Sequence, residues 1–117
     1  MNNFFMLDFS IAGTLAANFI FRWTAPFNCT LVHVSAVSSN AGSATLDIGT
    51  SGDDDEFMLE TAIGVSGTPV EWARTDFVGD QFPRIEDGDI FLATLDYDGA
   101  SATAAANVTV VMTFKVG

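Results

Sequence analysis

Basic residues are scarce: Arg22, Arg74, Arg84 and Lys115 stand against fifteen acids, and the 117-residue chain carries a net charge of −11. Affinity for nucleic-acid backbones and anionic lipid faces comes from Lys and Arg neutralising phosphates, so neither is expected as a partner. Cys29 is the single cysteine, which excludes an intrachain disulfide and leaves the fold independent of oxidation. His33 is the single histidine, and the chain has no HxH pair, no CxxC and no glycine loop of the kind that cradles phosphate. Asp8, Asn18 and Arg22 interrupt the apolar N-terminus, so no stretch of about eighteen apolar residues is available for a transmembrane helix. That terminus also lacks the basic n-region of a signal peptide. Helical signals are nearly missing, because no segment keeps an i, i+3, i+4, i+7 apolar stripe between a cap and a stop.

Strand signals fill the space. In NVTVVMTFKV (107–116), Val108, Val110, Met112, Phe114 and Val116 alternate with Asn107, Thr109, Thr113 and Lys115, the pattern of a long strand with one buried face. ANFIFRWT (17–24) sets Phe19, Phe21 and Trp23 against Ile20, Arg22 and Thr24. CTLVHVSAV (29–37) reads as a strand with Val32, Val34 and Ala36 on one side and Leu31, His33 and Ser35 on the other. In ATLDIGT (44–50), Leu46 and Ile48 point inward. FMLETAI (57–63), a turn at GVSGT (64–68) and a short PVEWA (69–73) follow; residues 74–88 read as a long loop carrying a short element. DIFLATLDY (89–97) is apolar on both faces, and small residues at 98–107 connect it to the last strand. Seven or eight short strands with turns every eight to twelve residues give one all-β domain, a jelly-roll-like β-sandwich of about eight antiparallel strands. Residues 14–117 make the sandwich, and residues 1–13 read as an apolar arm or a first strand.

Of the fifteen acids, fourteen lie between Asp47 and Asp98, so the chain has two nearly uncharged ends around an acidic middle. The row Asp53, Asp54, Asp55 and Glu56 is the obvious cation candidate. Calcium needs six to eight oxygens from several directions, whereas consecutive carboxylates on an extended chain alternate and bring at most two to one ion. The row reads as a hydrated turn between strands, with a cation site only if the acids at 86–89 or 96–98 lie beside it. Glu86, Asp87, Gly88 and Asp89 themselves read as a turn whose positive-φ glycine starts the next strand. Cys29 and His33 fall about 13 Å apart along one face of an extended strand, too far to pair as nucleophile and base. A carboxylate pair at a workable separation is unspecific on so acidic a domain. No enzyme activity, metal or cofactor is expected.

Eleven Phe, two Trp and one Tyr exceed what one small core readily absorbs. An exposed apolar surface marks contact with another chain, and the candidates are Phe4, Phe5, Phe9, Phe27 and Trp72. Trp23, Trp72 and Tyr97 could instead stack on sugar rings, provided two of them share one surface.

Three stretches carry a resemblance: TAPFNCTLVHVSAVSSNAGSATLDIGTSGDDDEF, IEDGDIFLATLDYDG and ANVTVVMTFKVG. Over about residues 23–117 the chain resembles the small jelly-roll proteins that decorate or cement the capsids of tailed bacteriophages. The resemblance implies a structural virion protein on the capsid surface, a homotrimer that bridges major capsid proteins at three-fold or quasi-three-fold positions. The Phe-rich N-terminus lies outside the resemblance. A ligand-binding module, such as a carbohydrate-binding domain or a tail-fibre tip, is the alternative.

Overall fold

The computed structural model describes residues 3–63, 66–100 and 102–117, and among them nine strands form two antiparallel sheets. One sheet contains β1 (Phe4–Thr14), β9 (Ala106–Val116), β3 (Cys29–Val37) and β6 (Val70–Trp72) in that spatial order, with β7 (Arg84–Ile85) also paired to β3. The other runs β2 (Phe19–Thr24), β8 (Ile90–Asp96), β4 (Thr45–Thr50) and β5 (Asp53–Ala62). The chain passes between the sheets so that β1 pairs with β9 and β2 with β8, the wrapping of a jelly roll. Single 3-10 turns at Arg74–Asp76 and Val78–Asp80 supply the short element of the long loop, and Phe77 anchors it by burial. Gly64 and Val65 of the turn expected at 64–68, Met1 and Asn2, and Ser101 in the connection at 98–107 lie outside the described residues.

Alternation places the core where the sequence puts it on β2, β4 and β9: Val108, Val110, Met112 and Phe114 face Leu46 and Ile48 across the interior, while Val116 at the strand end is exposed. In β3 the alternation breaks. Leu31 pairs with Phe114 but His33 with Thr113, so Val32 is an extra residue, a bulge. Cys29 and Leu31 therefore point inward before the bulge, as do Val34 and Ala36 after it, while His33 points out. The expectation that Val32 shares one side with Val34 and Ala36, and Leu31 the other with His33 and Ser35, is corrected, as is the shared face of Cys29 and His33: one added residue exchanges the two faces downstream of it.

A larger irregularity sits in β5. Thr50 pairs with Asp53 and Ile48 with Met58, which leaves four residues, 54–57, opposite Gly49 alone. The hairpin turn is Ser51 and Gly52, and the acidic row that reads as a turn begins the edge strand instead. The looped backbone lies directly against Gly49, where a Cβ would collide with the carbonyl oxygen of Asp53 and the backbone of Asp54. The turn at 86–89 forms as expected, with Gly88 at φ 92°, the amide of Asp89 donating to the carbonyl of Glu86 (2.9 Å) and Asp89 Oδ2 accepting from the amide of Glu86 (3.0 Å). At the opposite end Asn40 clamps the small-residue connection. Its Nδ2 donates to the carbonyl of Ala104 and its Oδ1 accepts from the amide of Ala106, each at 2.9 Å.

Substituting Gly49→Ala is expected to cost about 3 kcal/mol, because backbone rather than a flexible side chain blocks the new methyl. Gly52→Ala, with open space around its Cβ, serves as the near-neutral control; denaturant unfolding of the two variants measures the difference.

Candidate interaction surfaces

The five aromatic candidates separate into inside and outside. Phe5 is half-buried, with its ring stacked on Phe114 at 5.0 Å and set edge-on to Phe27 at 5.6 Å. Phe9 is buried against Phe19 (4.8 Å) and Phe21 (5.8 Å). Trp72 faces inward on β6 and keeps 3% of its surface. Phe4 is 58% exposed and Phe27 39%, so these two alone of the five present much ring to solvent. The aromatic surplus is thus absorbed largely inside, in two groups of ring contacts between the sheets: Phe9 with Phe19 and Phe21, and Phe5 with Trp23, Phe91 and Phe114. Sequence counting overestimates the surface share, because it cannot tell that β1 and β2 face each other.

The same placement removes the platform a sugar would need. Trp72 is buried, Trp23 is half-buried against Phe5 and Phe114, and Tyr97 packs partly on the core. Tyr97 lines an open depression of about 700 Å³ with Asn18, Asp96, Asp98 and Ala100, and neither tryptophan joins it there.

Six of the fifteen acids lie on β4 and β5: Asp47, Asp53, Asp54, Asp55, Glu56 and Glu60. Carboxylate oxygens of Asp53, Asp54 and Asp55 lie within 4.8 Å of one another, so three rather than two converge. The bulge is the reason, since it breaks the alternation on which the lower expectation rests. The acids at 86–89 and 96–98 contribute no oxygen to this group. Thr50 Oγ1 donates to Glu56 Oε2 at 2.8 Å, and a side-chain hydrogen bond with Asp53 raises the Asp55 carboxyl above its usual range. Asp47, on the outward face of β4, is pushed up to about 6 by burial first and then by Asp54, Glu60 and Asp55, against the pull of its hydrogen bond with Thr94. Its Oδ1 is shut off from solvent without a hydrogen-bond partner.

Groups for nucleophilic catalysis do not converge. The Cys29 thiol is buried and raised by desolvation, more than Arg84 lowers it, and His33 stands on the other face of the sheet with Nε2 at 3.2 Å from Glu71 Oε1.

No protein-family model and no curated protein sequence matches the chain. Solved structures do. A chain of the Cyanophage Pam1 capsid asymmetric unit superposes with a TM-score of 0.61 at 13% identity, over 99% of this chain and 85% of that one. The fold is one that phage capsids contain. A chain of the capsid of Ralstonia phage GP4 matches at TM-score 0.56 and 17% identity, over 97% of this chain and 84% of that one. At such identities the likeness is one of fold, and it spans the whole sandwich including β1.

Ionised Asp47 burdens the folded state. Its folded pKa lies above the ordinary 3.8, so the burden is complete above about pH 6 and is relieved as pH falls toward 4. Asp47→Asn is expected to raise stability at pH 7.5 by on the order of 1 kcal/mol, the full shift being discounted for partial solvation. The gain should vanish near pH 4, and thermal melts of the two proteins across that range check it.

Proposed function

We propose that this chain is a structural protein of a tailed-phage virion, a decoration or cement protein that binds the outside of the capsid and bridges neighbouring major capsid proteins. The observation that carries the reading is the full-length jelly-roll likeness to chains of two phage capsid structures. The interior is in keeping with it: among the described residues the core is filled by aromatic and aliphatic side chains. The charge supports it as well. A net charge of −11 keeps single copies soluble and makes chance association between them unfavourable, so assembly depends on a partner surface. Bridging needs two capsid contacts on one chain or an oligomer that supplies them, and the oligomer the resemblance implies is a homotrimer.

The purified chain is expected to pellet with empty capsids that lack it and to raise the temperature at which those capsids rupture, as binding to the intact shell alone requires. Failure to co-sediment at micromolar concentrations, with the fold verified by circular dichroism, would refute the reading.

A further inference from the structure

The two long edge strands of the sandwich are finished differently. β5 carries a row of acids and a bulge, both of which keep a further strand from pairing with an edge. β1 has neither device over residues 4–11: its register with β9 is unbroken there, and Asp8 is the one charged residue. Its backbone is also unpaired on the open side. The amide of Val116 donates to the carbonyl of Asn3 at 2.9 Å, which makes these two a hydrogen-bonded pair. Antiparallel ladders alternate such pairs with pairs that exchange no hydrogen bonds. Phe5, Leu7, Phe9 and Ile11 therefore bond to β9, while Phe4, Met6, Asp8 and Ser10 turn N–H and C=O away from it. β1 ends its sheet, so no strand among the described residues takes these donors and acceptors, which run along about 20 Å of edge.

A second feature lies beside them. Where the β1 edge meets the β2 edge, Phe5, Leu7 and Ile11 of β1 and Phe19, Phe21 and Trp23 of β2 pack on the core, yet each stays partly exposed. The ring contacts hold the two strands together, but nothing among the described residues roofs the seam. On the outer side of β1, Phe4 and Met6 keep 58% and 67% of their surface exposed.

An extended peptide segment fits both features. A strand presents carbonyls and amides at the spacing of Phe4, Met6, Asp8 and Ser10, and its alternate side chains fall over the seam on one side and beside Phe4 and Met6 on the other. Apolar residues suit both places, and a basic residue suits the place beside Asp8. Every free edge of a second copy belongs to a chain of net charge −11, which opposes its approach. The segment is therefore assigned to a different polypeptide.

We propose that the chain holds the capsid by strand addition: an extended segment of the major capsid protein, apolar at alternate residues, pairs with the free edge of β1 through Phe4, Met6, Asp8 and Ser10 and roofs the seam over Leu7 and Ile11. The proposal rests on the capsid-binding reading above and names the surface that does the binding.

Hydrogen–deuterium exchange on the full chain, free and bound to capsids that lack it, tests the contact together with two variants. On binding, the β1 segment is expected to gain protection at the amides of Phe4, Met6, Asp8 and Ser10, while the β5 segment exchanges as before. Met6→Pro removes an N–H that points away from β9 and sets a ring in the path of the added strand, so it should weaken co-sedimentation with capsids about tenfold or more; Met6→Ala, which keeps the N–H, should weaken it far less. If Met6→Pro fails to fold by circular dichroism, the exchange pattern decides alone. Wild type that does not co-sediment refutes the capsid reading and this proposal with it. Wild type that co-sediments with the β1 amides unprotected, or Met6→Pro that binds as Met6→Ala does, overturns the strand addition and leaves the capsid reading standing. Protection of the same amides that grows with concentration in the free chain would give the edge to a second copy and equally overturn it.

Discussion

The rings packed between β1 and β9 on one sheet and β2 and β8 on the other are the contact on which the rest of the molecule depends. β1 and β2 are both edge strands, each held by a single ladder. A lone ladder leaves a long strand free to peel, and β1 is eleven residues long. What fastens it is the interior: Phe5 on Phe114, Phe9 on Phe19 and Phe21, and Trp23 against both Phe5 and Phe114. Each such pair adds about 0.5–1.5 kcal/mol to the ordinary gain from burial, and several in contact close the open side of the sandwich. The uncharged N-terminus thus forms a wall of the core, and the full-length likeness to capsid chains includes it.

How far the sequence can be read depends on where strict alternation holds. β9, β2 and β4 obey it, and their inward residues are legible directly. β3 does not, because Val32 is inserted between Leu31 and His33, and a pattern rule with period two reverses the faces beyond such a point. CTLVHVSAV offers no local mark of the insertion: valine or leucine fills either face acceptably. β5 is harder still, since its bulge is imposed by contact with Gly49 on the neighbouring strand. The Gly at 49 could have signalled a close backbone approach, but not which segment makes it. The charge balance on the outward face of the β1-β9-β3-β6 sheet was illegible for a related reason. Lys115, Arg84, Asp8 and Glu71 come from four separate strands, and only the registers bring them into two rows.

The acidic row of β5 acquires a structural meaning from its position. β5 is the far edge of its sheet, and an exposed edge is a template for unwanted pairing unless charge or a bulge disrupts it. Asp53, Asp54, Asp55 and Glu56 supply charge, and the four-residue bulge removes the regular ladder. This protection strains its neighbourhood: Asp47 is left with an unpartnered buried oxygen amid like charges. A fold that tolerates such a group at one edge draws its stability from elsewhere, namely the aromatic contacts at the opposite edge.

The two sheets thereby take different parts. The β2-β8-β4-β5 sheet turns toward solvent a face and edge where acids accumulate, and at neutral pH nothing of like sign approaches it closely. The β1-β9-β3-β6 sheet turns outward a face whose charges cancel and whose apolar side chains remain uncovered. Electrostatic repulsion scales with the product of the charges, so a second acidic surface is opposed less strongly at the face whose charges cancel than at the acid-lined edge. Segregating charge in this way makes the two faces electrostatically unlike before shape complementarity is considered, and Phe4, exposed on the neutral one, is a residue that the aromatic content of the sequence already marks.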